Sequence, residues 1–532
     1  MSISLDEKNR LLLPRWLPFE TAAKLGEVSS DARLIVQRDS YFEAKKKDWK
    51  MYSGLVYAVD LVGTAIIIAD FEDSEVKAAA EYILDVSNRG SHLALDIART
   101  YVGIYPDTTK LLDTSSLNRM SLTNSKISAT RKSLKYYPRN PILWSDLAYF
   151  YAVIGHPEKS GKCMDVAISL SPDNRFILRS ATRCYLHANN GEKAHFYLKR
   201  SAATAKDPWL LATEISLAEA IHKKSTLVKQ ARHILESQNF SNKTCSELAG
   251  TLGTLEFSSG ALRASKKLFH RALLDPTENT IAQTEWMNRT LGIHYEFSLD
   301  SIPGVYEAGA RILYRGKDYK QSLEYAQQWM DFQPFSSRAA SFSSYIASVC
   351  LRDHITAIKL IEAAKLSAPH DSTLENNHAF ALASLGKIEE AIDVIRKIKV
   401  DNLDYMKRNI LNATIGMIMY KVGEPIKGHD LYRQAVKYFQ NENRKDLASV
   451  ASLFWGIEES SINKEKGAKI LNDAISLAKY SNMEEIREIA SLILSPTGAH
   501  TENPLSPTEE VQPTSRQKYS ALLAHTYTTI GE

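Results

Sequence analysis

The sequence predicts an all-α fold: a right-handed superhelical solenoid of antiparallel helix pairs. Three observations predict it. Landmark residues recur at a period near 34, with Pro138 and Pro172 34 residues apart, Pro334 and Pro369 35, and Ala357 and Ala391 34. Between the landmarks the texture is helical, with apolar residues three and four apart and glycine or proline at the breaks. Hydrophobic residues make up 44% of the 532 and charged residues 24%, which suits a folded chain with a sizeable core.

The elements follow in order. The opening MSISLDEKNRLLLPRW lacks the charged-then-apolar layout of a signal segment, and its LLL run is too short for one. Residues 1–106 read as an N-terminal helical region, a degenerate cap or a separate helical domain: VKAAAEYILD and LALDIARTYV keep the helical period but not the landmarks. Within it, GLVYAVDLVGTAIIIADF (54–71) carries Asp60 and two glycines and runs into acids. A membrane span needs about 20 residues with few charges, so a buried helix is expected instead.

Residues 107–302 form a first repeat block. From Pro141 it reads Trp144, Leu147, Ala148, Tyr151, Gly155, Ala167 and Pro172; from Arg175, Ala181, Tyr185, Gly191, Ala194 and Leu198. Residues 209–240 have poor landmarks, and Leu252, Gly253, Phe269, Ala272 and Pro276 restore them. Residues 280–302 supply one helix before the irregular HYEFSLDSIPG, a candidate hinge. Residues 303–494 form a second block, with Ala310, Tyr314, Gly316, Ala326, Trp329 and Pro334, then Ala357, Ile361 and Ala364. Its clearest unit is NNHAFALASLGKIEEAIDVIRKI (376–398). Residues 495–515 read as a disordered Pro/Ser/Thr linker and 516–532 as a short helix or tail.

This spacing is a packing code. Small residues let two helices approach, bulky ones fill the remaining holes, glycine accepts the turn and proline stops the second helix. No helix pair buries enough surface alone, so several must stack. In these landmarks the chain resembles the tetratricopeptide-repeat (TPR) family over roughly residues 107–480.

Chemistry is scarce. The sequence contains no phosphate loop, no GxGxxG after a strand, no HExxH and no GxSxG. Four scattered cysteines suggest reduced thiols in the cytoplasm, and 14 scattered histidines show no metal-ligand spacing. His378 reads as a packing residue. No enzyme activity, cofactor, metal or membrane association is expected. The net charge of +4 mandates no polyanion. The run EAKKKDWK (43–50), with Trp49 interleaved, keeps a nucleic-acid contact open, and the unusual LLLPRWLPFE keeps open an activity seated in residues 1–115.

What the resemblance implies is a protein or peptide partner. In TPR repeats the first helix of each pair, helix A, lines a groove. Carried over, its groove places fall on Ser145 and Tyr149, on Glu307, Arg311 and Tyr314, on Phe342, Ile346 and Val349, on Asn376, Phe380 and Ala383, and on Met417 and Tyr420. Aromatics there offer contact area, and amides such as Asn376 can bind a peptide main chain. The lysine and asparagine clamp for a terminal carboxylate, found in some relatives, has no counterpart at these places. A recognition helix like that of the DNA-binding peptide sensors in the family is missing from 54–102. The expected role is a non-enzymatic scaffold or adaptor in a larger complex. A ligand-responsive regulator and a helical subunit of a nucleic-acid-processing or defence assembly are the alternatives. The oligomeric state is left open.

Overall fold

The computed structural model describes residues 10–24, 32–68, 73–86, 95, 98, 116–237, 239–293 and 302–495. The expected linker and tail beyond Ser495, and most of the 87–115 and HYEFSLDS stretches, lie outside these. Every regular element among the described residues is helical. The chain divides into two compact units, residues 8–312 with 331–335, and residues 313–330 with 336 onward.

The first unit opens with the short α1 (Phe19–Lys24), followed by α2 (Ala32–Tyr52), α3 (Leu55–Ile68), α4 (Ser74–Asp85) and α5 (Ser116–Tyr136). Helix pairs follow: α6 (Pro141–Val153) with α7 (Pro157–Leu170), α8 (Arg175–His187) with α9 (Gly191–Arg200), α10 (Pro208–Ala220) with α11 (Val228–Ser237), and α12 (Asn242–Ser258) with α13 (Leu262–Ala272). Then come α14 (Glu278–Leu291), α15 (Tyr306–Arg315) and α16 (Tyr319–Phe332), the last two with residues in both units. The second unit pairs α17 (Ser337–Tyr345), extended by a π turn at Ile346–Cys350, with α18 (His354–Lys365). It goes on with α19 (Ser372–Ser384) and α20 (Ile388–Ile395), α21 (Tyr405–Lys421) and α22 (Pro425–Asn441), α23 (Lys445–Ser460) and α24 (Lys464–Ser481), and ends on α25 (Glu484–Leu494).

Local chemistry sets these boundaries. Helices A of the first unit begin at Pro141, Arg175, Pro208 and Asn242, steps of 34, 33 and 34 residues. Each is preceded by a side chain that accepts the unsatisfied N–H groups of the first turn: Asn140, Asn174, Asp207 and Ser241. Between paired helices the turn needs one left-handed residue, supplied by Gly155 at φ 73°. In the next pair Asn189 (φ 54°) takes this role, not Gly191, which starts α9. Lys317 (φ 66°) takes it in place of Gly316.

Neighbouring helices A pack on one another as well as on their own helix B. Where backbones approach most closely a side chain has no room. A Cβ on Gly428 of α22 would lie 2.8 Å from the Gly416 carbonyl oxygen of α21. Gly428→Ala is therefore expected to destabilise the second unit by about 1–3 kcal/mol, read from urea midpoints, although alanine is the better helix former. A TPR-like stack of helix pairs is thus observed in each unit.

Within the 54–71 stretch, Leu55–Ile68 form α3, whose Ala58, Leu61, Val62 and Ala65 pack on Val76, Ala79 and Ile83 of α4. No described helix is long and apolar enough to cross a membrane. The 43–50 run lies on α2, and three of its four lysines are met locally: Lys45 pairs with Asp60, Lys46 with Asp73 and Glu43, and Lys50 with Glu75. Trp49 lies against Tyr82, with ring centroids 5.2 Å apart.

Candidate peptide groove

In the first unit, residues 10–18 are not helical. Pro14 and Pro18 remove main-chain donors and break helical φ/ψ, so RLLLPRWLP has to find its partners outside itself. It finds them along helices A. Asn279 Nδ2 donates to the Leu13 carbonyl at 2.9 Å, and Gln283 Nε2 to the Arg10 carbonyl at 2.7 Å. Two side-chain amides of α14, one turn apart, thus hold the main chain of a non-helical segment. A turn of the segment on itself, Leu13 N–H to the Leu11 carbonyl at 2.9 Å, directs Leu12 towards α12. Gly250 makes the room: a Cβ there would lie 2.7 Å from Leu12 Cδ1.

The side chains of the segment are gripped more firmly. Arg10, 1% exposed, donates from Nε and Nη2 to the two oxygens of Glu307 at 3.1 and 2.9 Å, and from Nη1 to Gln283. Arg15 forks onto Glu278 at 2.7 and 3.1 Å, reaches Glu307 at 2.7 Å and donates to Gln333 at 3.3 Å. Arg311, four residues on in α15, lies 3.5 Å from Glu307. Burial alone would raise the Glu307 carboxyl, but Arg10, Arg15 and Arg311 outweigh it and hold it well below the ordinary carboxylate range. Glu278 is raised by its burial, against the pull of Arg15.

Next to Arg15, Trp16 is 1% exposed, edge-on to Tyr149 of α6 (5.6 Å between centroids) and tilted on Phe335 (5.3 Å). Phe19 meets Phe176 of α8 at 5.3 Å, and its N–H donates to Asp146 at 2.9 Å. The helix-A row continues through Arg179, which forks onto Glu247 at 2.7 and 3.2 Å, and Glu247 in turn accepts from Asn279 at 3.3 Å.

Burial, reinforced by Glu20, pushes the Asp146 carboxyl up to about 7 against the bond from Phe19. A folded value above the unfolded one means that stability is full at low pH and falls as pH rises from about 4 towards 7. Asp146→Asn keeps the acceptor and removes the charge. It is expected to flatten the pH dependence of Tm between about pH 4 and 7 and to raise Tm at pH 8; an unchanged slope would refute this.

All thirteen groove residues read from the sequence are buried. Tyr149 and Glu307 meet the segment directly, Arg311 meets it through Glu307, and Ser145 lies one turn before Tyr149 on α6. The other nine belong to the second unit, where they are buried. Tyr314 lies against Phe342 at 5.7 Å and donates to Glu485 of α25 at 2.6 Å, beside Tyr345 at 2.8 Å. Phe380 meets Phe454 at 4.7 Å, Tyr420 bonds Glu459 and Trp455, and Met417 is enclosed in α21. Asn376 lines a small cleft with Ser372, Thr373 and Lys407, and neither of its amide atoms has a hydrogen-bond partner among the described residues. Sequence reasoning missed Arg10, Leu12, Arg15, Trp16, Gly250, Glu278, Asn279, Gln283 and Gln333. One signal was present: TENTIAQTE (277–285) is a helix without an apolar stripe whose polar side chains are all buried.

In the structure this groove holds the chain's own residues 10–18. Among the described residues no group of three or more His, Cys, Asp or Glu side chains could hold a metal ion.

No family model matches the chain, and no curated protein matches it. Among solved structures it is similar to the APC/C hetero-tetramer Cut9–Hcn1, with 12% identity over 93% of this chain and 94% of that one and a TM-score of 0.41. Yeast Tom70 matches at 13% identity over 74% and 99%, TM-score 0.30. Naa15/Naa10 bound to HypK-THB matches at 11% identity over 92% of each chain, TM-score 0.23.

Proposed function

We propose that this protein is a non-enzymatic interaction scaffold in the cytoplasm. In this reading it holds an extended segment of a partner protein along its helix-A face, as a subunit of a larger complex. One observation carries it: Asn279 and Gln283 hold the main-chain carbonyls of a non-helical stretch, which is the chemistry that recognises any extended peptide regardless of its side chains. Four cysteines without a disulfide accord with a reducing compartment. The ion pairs within and around 43–50 leave less charge for a nucleic acid, which makes that alternative the weaker one. In the second unit Asn376, which lines a small cleft with both amide atoms unpartnered among the described residues, is proposed as a separate contact for a partner main chain.

The test is affinity purification of wild type and of Asn279→Ala/Gln283→Ala from the native cell, with cross-links mapped. A stoichiometric protein cross-linked to helices A and depleted in the variant is the expected result. A partner recovered equally with both, cross-linked elsewhere, would overturn groove binding.

A further inference from the structure

The segment 10–18 touches this groove as a ligand would, and the charges show which ligand. On the groove side stand two buried carboxylates, Glu278 and Glu307, with side chains 3% and 2% exposed. Arg311 is the cation of the groove itself beside them. The segment brings two guanidinium groups that fork onto these acids, and a neutral amide, Gln333, completes the Arg15 site. Take the segment away and two carboxylates would face Arg311, and an incoming segment would bury them again. A groove in that state rejects acidic or neutral segments and selects a cation, because a buried charge without its partner is strongly unfavourable. Lysine does not replace the forks, since an ammonium cannot engage both oxygens of a carboxylate in one plane. The remaining determinants are a small cradle at Gly250 for an aliphatic side chain and a ring pocket of Tyr149 and Phe335.

We infer that residues 10–18 are an internal ligand of this groove, exchangeable for a partner segment that presents two arginines five residues apart, an aliphatic residue between them and an aromatic ring directly after the second. This rests on the groove being a peptide-holding surface, as proposed above. The internal copy sets the threshold: being tethered, it competes at an effective concentration of about millimolar, and a partner must exceed it.

The test uses the full chain and a fluorescein-labelled peptide of residues 8–19, with anisotropy as the readout. The Arg10→Ala/Arg15→Ala chain, whose own segment is weakened, is expected to bind the peptide at least about 10-fold more tightly than wild type does. A peptide with both arginines replaced by alanine should bind that chain at least about 30-fold more weakly, and one with both replaced by lysine should fall between. If the double variant is folded by circular dichroism and binds no peptide, or binds the alanine peptide equally well, the inference falls. Should the variant fail to fold, the wild-type chain with a protease site inserted between Lys24 and Ala32 takes its place. After cleavage, labelled peptide should enter as the native segment leaves, and retention of the native segment without entry overturns the inference. A doubled mass of wild type in light scattering, lost in the double variant, would assign the groove to the segment of a second copy and overturn a foreign partner. Failure of peptide exchange while partner capture still depends on Asn279 and Gln283 removes this inference alone. Loss of that dependence removes the scaffold reading.

Discussion

Replacing Glu307 with alanine is expected to destabilise the first unit by about 3–5 kcal/mol, measured as a fall in its urea or thermal midpoint. The magnitude follows from burial. Glu307 is 2% exposed and is reached by Arg10, Arg15 and Arg311, so its removal takes a buried carboxylate from three guanidinium groups at once, of which Arg15 keeps Glu278. Glu390→Ala makes the contrast: the Lys387–Glu390 pair is more than half exposed at both ends, and its loss should cost less than about 1 kcal/mol. The pH dependence has a definite sign. Because the folded Glu307 carboxyl is held well below the ordinary 4.5, its contribution is complete above about pH 4.5 and is lost only as pH falls through that lower value. Acid should therefore release the segment late. Equal losses for Glu307→Ala and Glu390→Ala would show that the pair network contributes no more than a surface contact.

Trp16→Ala is expected to remove about 3–5 kcal/mol and to make the 10–24 stretch the first site of limited proteolysis. The indole fills a space bounded by Tyr149 and Phe335, and alanine would leave a cavity between rings that are themselves only 5.7 Å apart. Trp16→Phe separates ring packing from size. It keeps an aromatic edge against Tyr149 and discards an indole N–H that has no hydrogen-bond partner among the described residues, so a loss below about 1.5 kcal/mol is expected. If Trp16→Ala unfolds no earlier than wild type, the segment is not part of the core.

The helix pairs were legible because their signals are local. Asn140, Asn174, Asp207 and Ser241 cap within three residues, and Ala148 or Gly253 repeats at helical spacing whatever the rest of the chain does. The TPR-like spacing also pointed to Tyr149, Glu307 and Arg311, of which the first two meet residues 10–18 and the third meets Glu307. What fills that groove was not legible. LLLPRWLPFE read as an oddity because its meaning depends on acids nearly 300 residues away, and no periodicity links Arg10 to Glu307. The same limit applied to Tyr314. Its helix-A place resembles a partner contact, and the Glu485 of α25 that it bonds is brought there only by the fold.

The distance along the chain between Arg10 and its carboxylate has a consequence for biosynthesis. The two are 297 residues apart, so at about 5–20 residues per second the segment waits on the order of 15–60 seconds on the ribosome before its binding site exists. During that interval Leu11–Leu13 and Trp16 are apolar surface without cover, a stretch that chaperones which hold nascent chains would engage. Seating the segment is then the last step of folding this unit, and truncated chains ending before Glu278 should be retained on such chaperones while the full-length protein is released.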